Sequence, residues 1–165
     1  MHRTKLVRGL FVAALAVSML APTTAYAATA RIYVNKGVKS ARLGMYDTAA
    51  ARRIGRVVLK KRDRSYAGRV VWVRYFGTKR NGKYALELYS NKSRKVFAFV
   101  INRNTYATAK GIRVGSSEAA LTAAYGTLLT ANPGPVYNRY VLGGRSGTDF
   151  YVRGGVVTKI VVRRF

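Results

Sequence analysis

The chain contains no cysteine, a single histidine (His2), three prolines, and only 5 Asp and Glu against 31 Lys and Arg, for a net charge of +26 over 165 residues. Each shortage removes a class of function. Without cysteine there are no disulfides, no thiol catalysis and no thiolate-held zinc. His2 falls in the leader described next, so imidazole acid–base chemistry is not expected either. Five scattered carboxylates offer little for an oxygen-ligated metal or a catalytic acid pair, and no cofactor or metal is expected. Apolar residues make up 49% of the chain, so it is not a low-hydrophobicity disordered tail. The length suits one ordinary domain or two small repeats.

The first 27 residues read as a signal peptide. Arg3, Lys5 and Arg8 form a positive start, Leu10 to Ala21 is an apolar run broken only by Ser18, and Ala25-Tyr26-Ala27 is a small-x-small cleavage pattern. That run is too short to span a bilayer, which takes about 20 residues. Cleavage after Ala27 takes three basic residues away and leaves +23 on the mature chain, with neither Cys nor His. The expectation is a secreted or extracellular protein without a transmembrane segment, retained at the envelope, if at all, by its charge.

Behind the leader lies an internal repeat. Arg42/Arg113, Gly44/Gly115, Asp47/Glu118, Ala49/Ala120 and Gly55/Gly126 all coincide at one offset of 71 positions, and each segment follows Gly37-Val38 or Gly111-Ile112. Each copy predicts a short Ala-rich helix, near 46–54 and 117–125. Ser116 or Ser117 can cap the second helix, and Asp47 and Glu118 sit where the positive dipole end favours them. Gly55 and Gly126 suit helix ends with positive φ. After each helix the period changes to two. Strands are predicted at Arg69–Phe76, Lys83–Tyr89, around Phe97 to Ile101, and over 137–142, 148–153 and 156–163, separated by turn residues such as Asn81-Gly82 and Gly154-Gly155. The predicted fold class is α+β: two tandem helix-plus-antiparallel-strand units, 28–109 and 110–165, sharing one sheet with the helices on one face.

The residues Gly111-Ile112-Arg113-Val114-Gly115-Ser116-Ser117, Ala124-Tyr125-Gly126 and Gly155-Val156-Val157-Thr158-Lys159-Ile160, echoed more weakly by Gly37 to Gly55, carry a resemblance. The chain resembles the superfamily of β-lactamase inhibitory protein and the small outer-membrane assembly lipoproteins over roughly 36–165. The resemblance implies tandem helix-plus-sheet units that present a sheet face to a protein. It transfers no functional residue, because the inhibitor's disulfides and the lipoprotein cysteine are both missing and the charge is far more basic.

Catalytic signals are thin. Asp47 and Glu118 are explained as helix starts and Asp63 by local ion pairing with its basic neighbours. Glu87 and Asp149 lie on strands, can share a face, and read as surface salt-bridge acceptors. Gly143 to Thr148 and Ser90 to Lys95 read as hairpin loops. The chain is therefore expected not to be an enzyme.

Charge is the strongest signal. Arg52, Arg53, Arg56, Lys60, Lys61, Arg62, Arg64 and Arg69 fall within 18 positions, offset by one Asp, and Arg outnumbers Lys by 20 to 11. Arginine's rigid fork suits phosphate and carboxylate. The expected partner is an anionic wall polymer, an anionic lipid surface or an acidic protein; nucleic acid stays among the candidates, without a specific recognition motif. A second expected surface is the sheet face opposite the helices, assigned by strand parity to Lys83, Tyr89, Tyr151, Arg153 and Lys159. Trp72 and Arg74 join it if Val71, Val73 and Tyr75 pack against the helices. Two functions follow: an exported, non-enzymatic basic protein bound to an anionic partner, or a secreted inhibitor or adaptor gripping a protein through its open sheet face.

Overall fold

Two eight-residue helices stand at the positions the repeat predicts. In α1 (Asp47–Ile54), Ala50, Ala51 and Ile54 turn inward, and in α2 (Glu118–Tyr125) Leu121 and Tyr125 do so one turn apart. The Ser117 hydroxyl caps α2 by accepting from the Ala120 amide at 3.1 Å. Gly55 and Gly126 end the helices with φ of 135° and 48°, but their ψ values of −156° and −128° lie outside the left-handed helical region expected for such caps.

A computed structural model describes residues 30–66 and 69–164, the side chains of 64–66, 69 and 70 excepted. The signal peptide expected over 1–27 lies outside the described residues. The strands are β1 (Ala30–Tyr33), β2 (Gly37–Val38), β3 (Ala41–Arg42), β4 (Val57–Tyr66), β5 (Arg69–Phe76), β6 (Leu86–Ser90), β7 (Val96–Ile101), β8 (Tyr106–Thr108), β9 (Leu129–Asn132), β10 (Asn138–Gly143), β11 (Ser146–Arg153) and β12 (Val156–Arg164). They form an eight-stranded sheet in the order β4-β5-β6-β7-β12-β11-β10-β9, antiparallel throughout, and a four-stranded sheet in the order β3-β2-β1-β8, in which β1 and β8 run parallel.

This overturns the predicted architecture of two helix-plus-strand units with every strand in one sheet. Among the described residues the chain is mostly β, with 53% strand and 15% helix, and its strands divide between two sheets. The physical reason is strand length. β2 and β3 have two residues each and β8 three, too few for any periodicity to register. β4 escapes the pattern for another reason, since its run of Lys and Arg carries no apolar alternation.

One core joins the helices to the large sheet. Ala50, Ile54 and Leu121 pack with Leu86, Leu88, Phe99, Phe150 and Ile160, and Ile32 and Val38 of the small sheet join the same cluster. The two helix starts are tied to the sheet alike. The Gly44 amide donates to the Val96 carbonyl at 2.7 Å, Val96 N to Met45 O at 2.8 Å, and Asp47 N to Arg94 O at 2.8 Å. The Gly115 amide donates to Val157 O, Val157 N to Ser116 O, and Glu118 N to Gly155 O, each at 2.8 Å.

A smaller cluster of Val71, Val73 and Tyr75, with Tyr84, Tyr89 and Phe97 against it, forms on the opposite face of the large sheet. Alternation with Leu86 and Leu88 would turn Tyr84 toward the helices, but its ring lies on this opposite face, tilted against Tyr75 with ring centroids 4.7 Å apart. It precedes the start of β6, so strand parity does not govern it.

Candidate functional site

The central row of the open face runs Tyr75, Glu87, Val100, Val161 and Asp149 across β5, β6, β7, β12 and β11, each residue directly opposite the next. The two middle positions are short valines while their neighbours are long. The result is a hollow of about 370 Å³ over the β7–β12 seam, floored by Val100 and Val161 and walled by Lys83, Tyr89, Arg139, Tyr151 and Lys159. Its carboxylates are committed. Glu87 accepts from the Tyr89 hydroxyl at 2.6 Å and from Asn102 Nδ2 at 3.1 Å. Asp149, only 2% exposed, pairs with Arg163 Nε at 2.7 Å and Arg139 Nη2 at 3.2 Å.

Burial lowers the pKa of the Lys159 ammonium, and the Lys83 charge lowers it further; Glu87 and Asp149 oppose the shift. The Lys159 ammonium also lies 3.9 Å from the centre of the Tyr151 ring. Burial first, and the hydrogen bond to Glu87 second, push the Tyr89 phenol well above its usual range, so it stays a neutral donor.

Four of the seven sheet-face residues expected from sequence meet at this hollow: Lys83, Tyr89, Tyr151 and Lys159. Arg153 is exposed beside the Gly154-Gly155 turn and does not line it. Trp72 and Arg74 belong to the other face. Arg74, 8% exposed, pairs through Nη2 with Asp47 of α1 at 3.3 Å. The Trp72 ring lies under the Arg94 guanidinium at 4.5 Å and the Lys60 ammonium at 4.9 Å. Parity in β5 is thus reversed from the arrangement that would place them on the open face. Val71, Val73 and Tyr75 find apolar partners in Tyr84, Tyr89 and Phe97, whereas Arg74 needs the buried carboxylate that only the helix side provides. Glu87 and Asp149 do share a face, but the surface salt-bridge reading is corrected: Asp149 is buried, and Glu87 takes hydrogen bonds from neutral groups.

The hollow also draws on Asn102, Arg139 and Arg163. Arg163 was legible, four positions from Lys159 near the end of the same strand. Asn102 and Arg139 carried no signal, because neither interrupts a pattern.

The basic segment splits by strand parity. Arg52 and Arg53 are exposed in the last turn of α1, where the helix dipole favours cations, and Arg56 is exposed at the connection. On β4, Lys60 and Arg62 oppose Arg74 and Trp72, and Lys61 opposes Val73. Lys61 therefore belongs to the open face, where it pairs with Asp63 at 3.1 Å. The side chains of Arg64 and Arg69 lie outside the described residues.

No family model matches the chain, and no curated protein matches it. A solved structure, that of the uncharacterized protein YfeY from Escherichia coli, is similar in fold, with a TM-score of 0.54 and 13% identity over 79% of this chain and 95% of that one. At that identity the likeness bears on the fold alone.

Proposed function

We propose that the chain is an exported, non-enzymatic, strongly basic binding protein that associates with an anionic polymer or anionic lipid surface at the cell envelope or outside the cell. One observation carries this reading: all five carboxylates are engaged inside the fold. Asp47 holds Arg74 and Arg94, Asp63 holds Lys61, Asp149 holds Arg139 and Arg163, Glu87 takes Tyr89 and Asn102, and Glu118 takes Tyr140 and Asn138. The remaining positive excess has no internal counter-charge, and an external polyanion relieves its self-repulsion. Exposed Arg52, Arg53, Arg56, Lys60 and Arg62 are the proposed contact. The non-enzymatic assignment rests on the same inventory, which holds no His or Cys behind the leader and no uncommitted carboxylate.

Binding to soluble polyphosphate, and to vesicles with and without anionic phospholipid, tests the reading. The logarithm of the affinity should fall linearly with the logarithm of salt concentration as counterions are released. Replacing Arg52, Arg53, Lys60 and Arg62 with Gln should flatten the slope by roughly one unit for each phosphate that the variant no longer neutralises. An unchanged slope in that variant overturns the assignment of the segment.

The hollow supports a second reading, an inhibitor or adaptor that grips a protein through the open face. Its rim combines Tyr89 and Tyr151 with cations, residue types enriched at interface centres. That association would survive salt that dissolves the first.

A further inference from the structure

The open-face hollow is lined by four cations, Lys83, Arg139, Lys159 and Arg163, and by two anions, Glu87 and Asp149. Its charge is not self-balanced. Both arginines are spent on Asp149, and Glu87 is spent on Tyr89 and Asn102. Among the described residues Lys83 and Lys159 have no ion-pair partner. Both line the same hollow, where burial first and the Lys83 charge second lower the pKa of Lys159. Two polar atoms of the lining residues, Asp149 Oδ1 and Arg139 Nε, are buried without a hydrogen-bond partner, but neither is exposed to the hollow, whose unmet charge is that of its two lysines. Its volume of about 370 Å³ falls at the small end of the range for ligand pockets.

We propose that this hollow is a binding site for a small oxyanion-bearing ligand, a carboxylate or a phosphate ester, whose oxygens bridge Lys83 and Lys159 over the Val100–Val161 floor. The anion supplies the counter-charge that the lysine pair lacks. The fixed Asp149–arginine group and the Glu87–Tyr89–Asn102 group hold the walls in place. This site is separate from the basic segment of α1 and β4, and it stands or falls without the polyanion reading.

The test titrates the full chain with succinate in one arm and glycerol 3-phosphate in the other, at constant ionic strength. The lysine ε-methylene and tyrosine ring signals are followed by NMR. Saturable shifts at Lys83, Lys159 and Tyr151 are expected, with the Lys159 titration midpoint rising on occupancy. The arm that saturates identifies the ligand class. The double variant Lys83→Gln/Lys159→Gln should weaken binding about tenfold or more, as the loss of charge-assisted hydrogen bonds requires. Arg52→Gln/Arg53→Gln, which removes the same charge elsewhere, should not. Lys83→Gln alone, at an exposed position, should still weaken binding if the double variant proves poorly folded. The proposal is overturned if neither probe saturates, if shifts are confined to the basic segment, or if the two double variants lose affinity equally.

Discussion

The two helix starts share a backbone frame and differ in what they do with their first carboxylate. At α1, Asp47 is 1% exposed and sits inside a cage: Arg94 Nη2 at 2.7 Å, Arg74 at 3.3 Å and the Ser90 hydroxyl at 3.2 Å. At α2, Glu118 is half-buried at the rim and accepts from the Tyr140 hydroxyl and from Asn138 Nδ2. A helix dipole acts on both, and it accounts for only a fraction of what holds Asp47. Equivalent backbone positions thus carry unequal energetics, because burial sets the strength of an ion pair and the cost of breaking it.

The largest expected effect comes from removing that cage. Asp47→Ala leaves Arg74 buried and unpaired, and should cost about 3 kcal/mol in chemical denaturation. Glu118→Ala removes hydrogen bonds at a rim that water can reach, and should cost about 1 kcal/mol. Acid sharpens the contrast. Burial alone would raise the Asp47 pKa, but the hydrogen bonds and charges of Arg74 and Arg94 outweigh it and hold the carboxyl below its ordinary 3.8. A carboxyl depressed in the folded state stabilises above its unfolded pKa, and that stability fades as pH falls through the folded value. Wild type should therefore lose stability steeply below about pH 4, and Asp47→Ala should show a shallower acid slope there. Equal losses for the two alanine variants would mean that the cage contributes nothing beyond the dipole.

The second effect reaches Asp47 indirectly. Trp72 stacks under Arg94, and Arg94 grips Asp47 through Nε at 2.9 Å as well as through Nη2. Trp72→Ala removes the platform and half-buried apolar surface together, and should cost about 2 kcal/mol. Combined with Asp47→Ala, the loss should fall short of the sum, since residues in one network couple by about 0.5 kcal/mol or more. Strict additivity would place Trp72 outside the cage.

The helix starts and the cage behind one of them illustrate which parts of this molecule its sequence announces. The α1 and α2 bounds were legible within a residue because capping residues, Ala-rich runs and terminal glycines are local signals. So were the strands rich in alternating apolar residues, such as β6 and β12. The small sheet was not, because β1 and β8 pair in parallel from opposite ends of a stretch of about 75 positions, and two- and three-residue strands leave no period. The face of β5 was undetermined because Val, Trp and Tyr make either face apolar. What decides it is Arg74 meeting Asp47, a contact 27 positions apart that no local pattern encodes. The hollow was legible in Tyr89, Tyr151 and Lys159, which strand parity turns outward; Lys83, named with them, precedes β6 and is not placed by parity, and Asn102 and Arg139 were illegible because their place depends on register across the sheet.

The smallest effects concern the caps themselves. Ser117 caps α2, while the equivalent Tyr46 starts α1 with no side-chain hydrogen bond to the helix. Ser117→Ala should cost about 1 kcal/mol, the usual worth of such a cap. Tyr46→Ser offers α1 the hydroxyl it lacks, in backbone already extended at φ −63° and ψ 138°, close to the φ −68° and ψ 154° of Ser117. It also removes the ring that holds the Lys95 ammonium at 3.4 Å. An exposed cation–π contact is worth about 0.5–1 kcal/mol, as much as the cap gained, so the two changes should cancel within about 0.5 kcal/mol. Lys95→Gln separates them: in that background Tyr46→Ser should become stabilising. If it stays neutral or destabilising there, the α1 start cannot accept a cap, and the backbone likeness of the two helix starts does not extend to their amides.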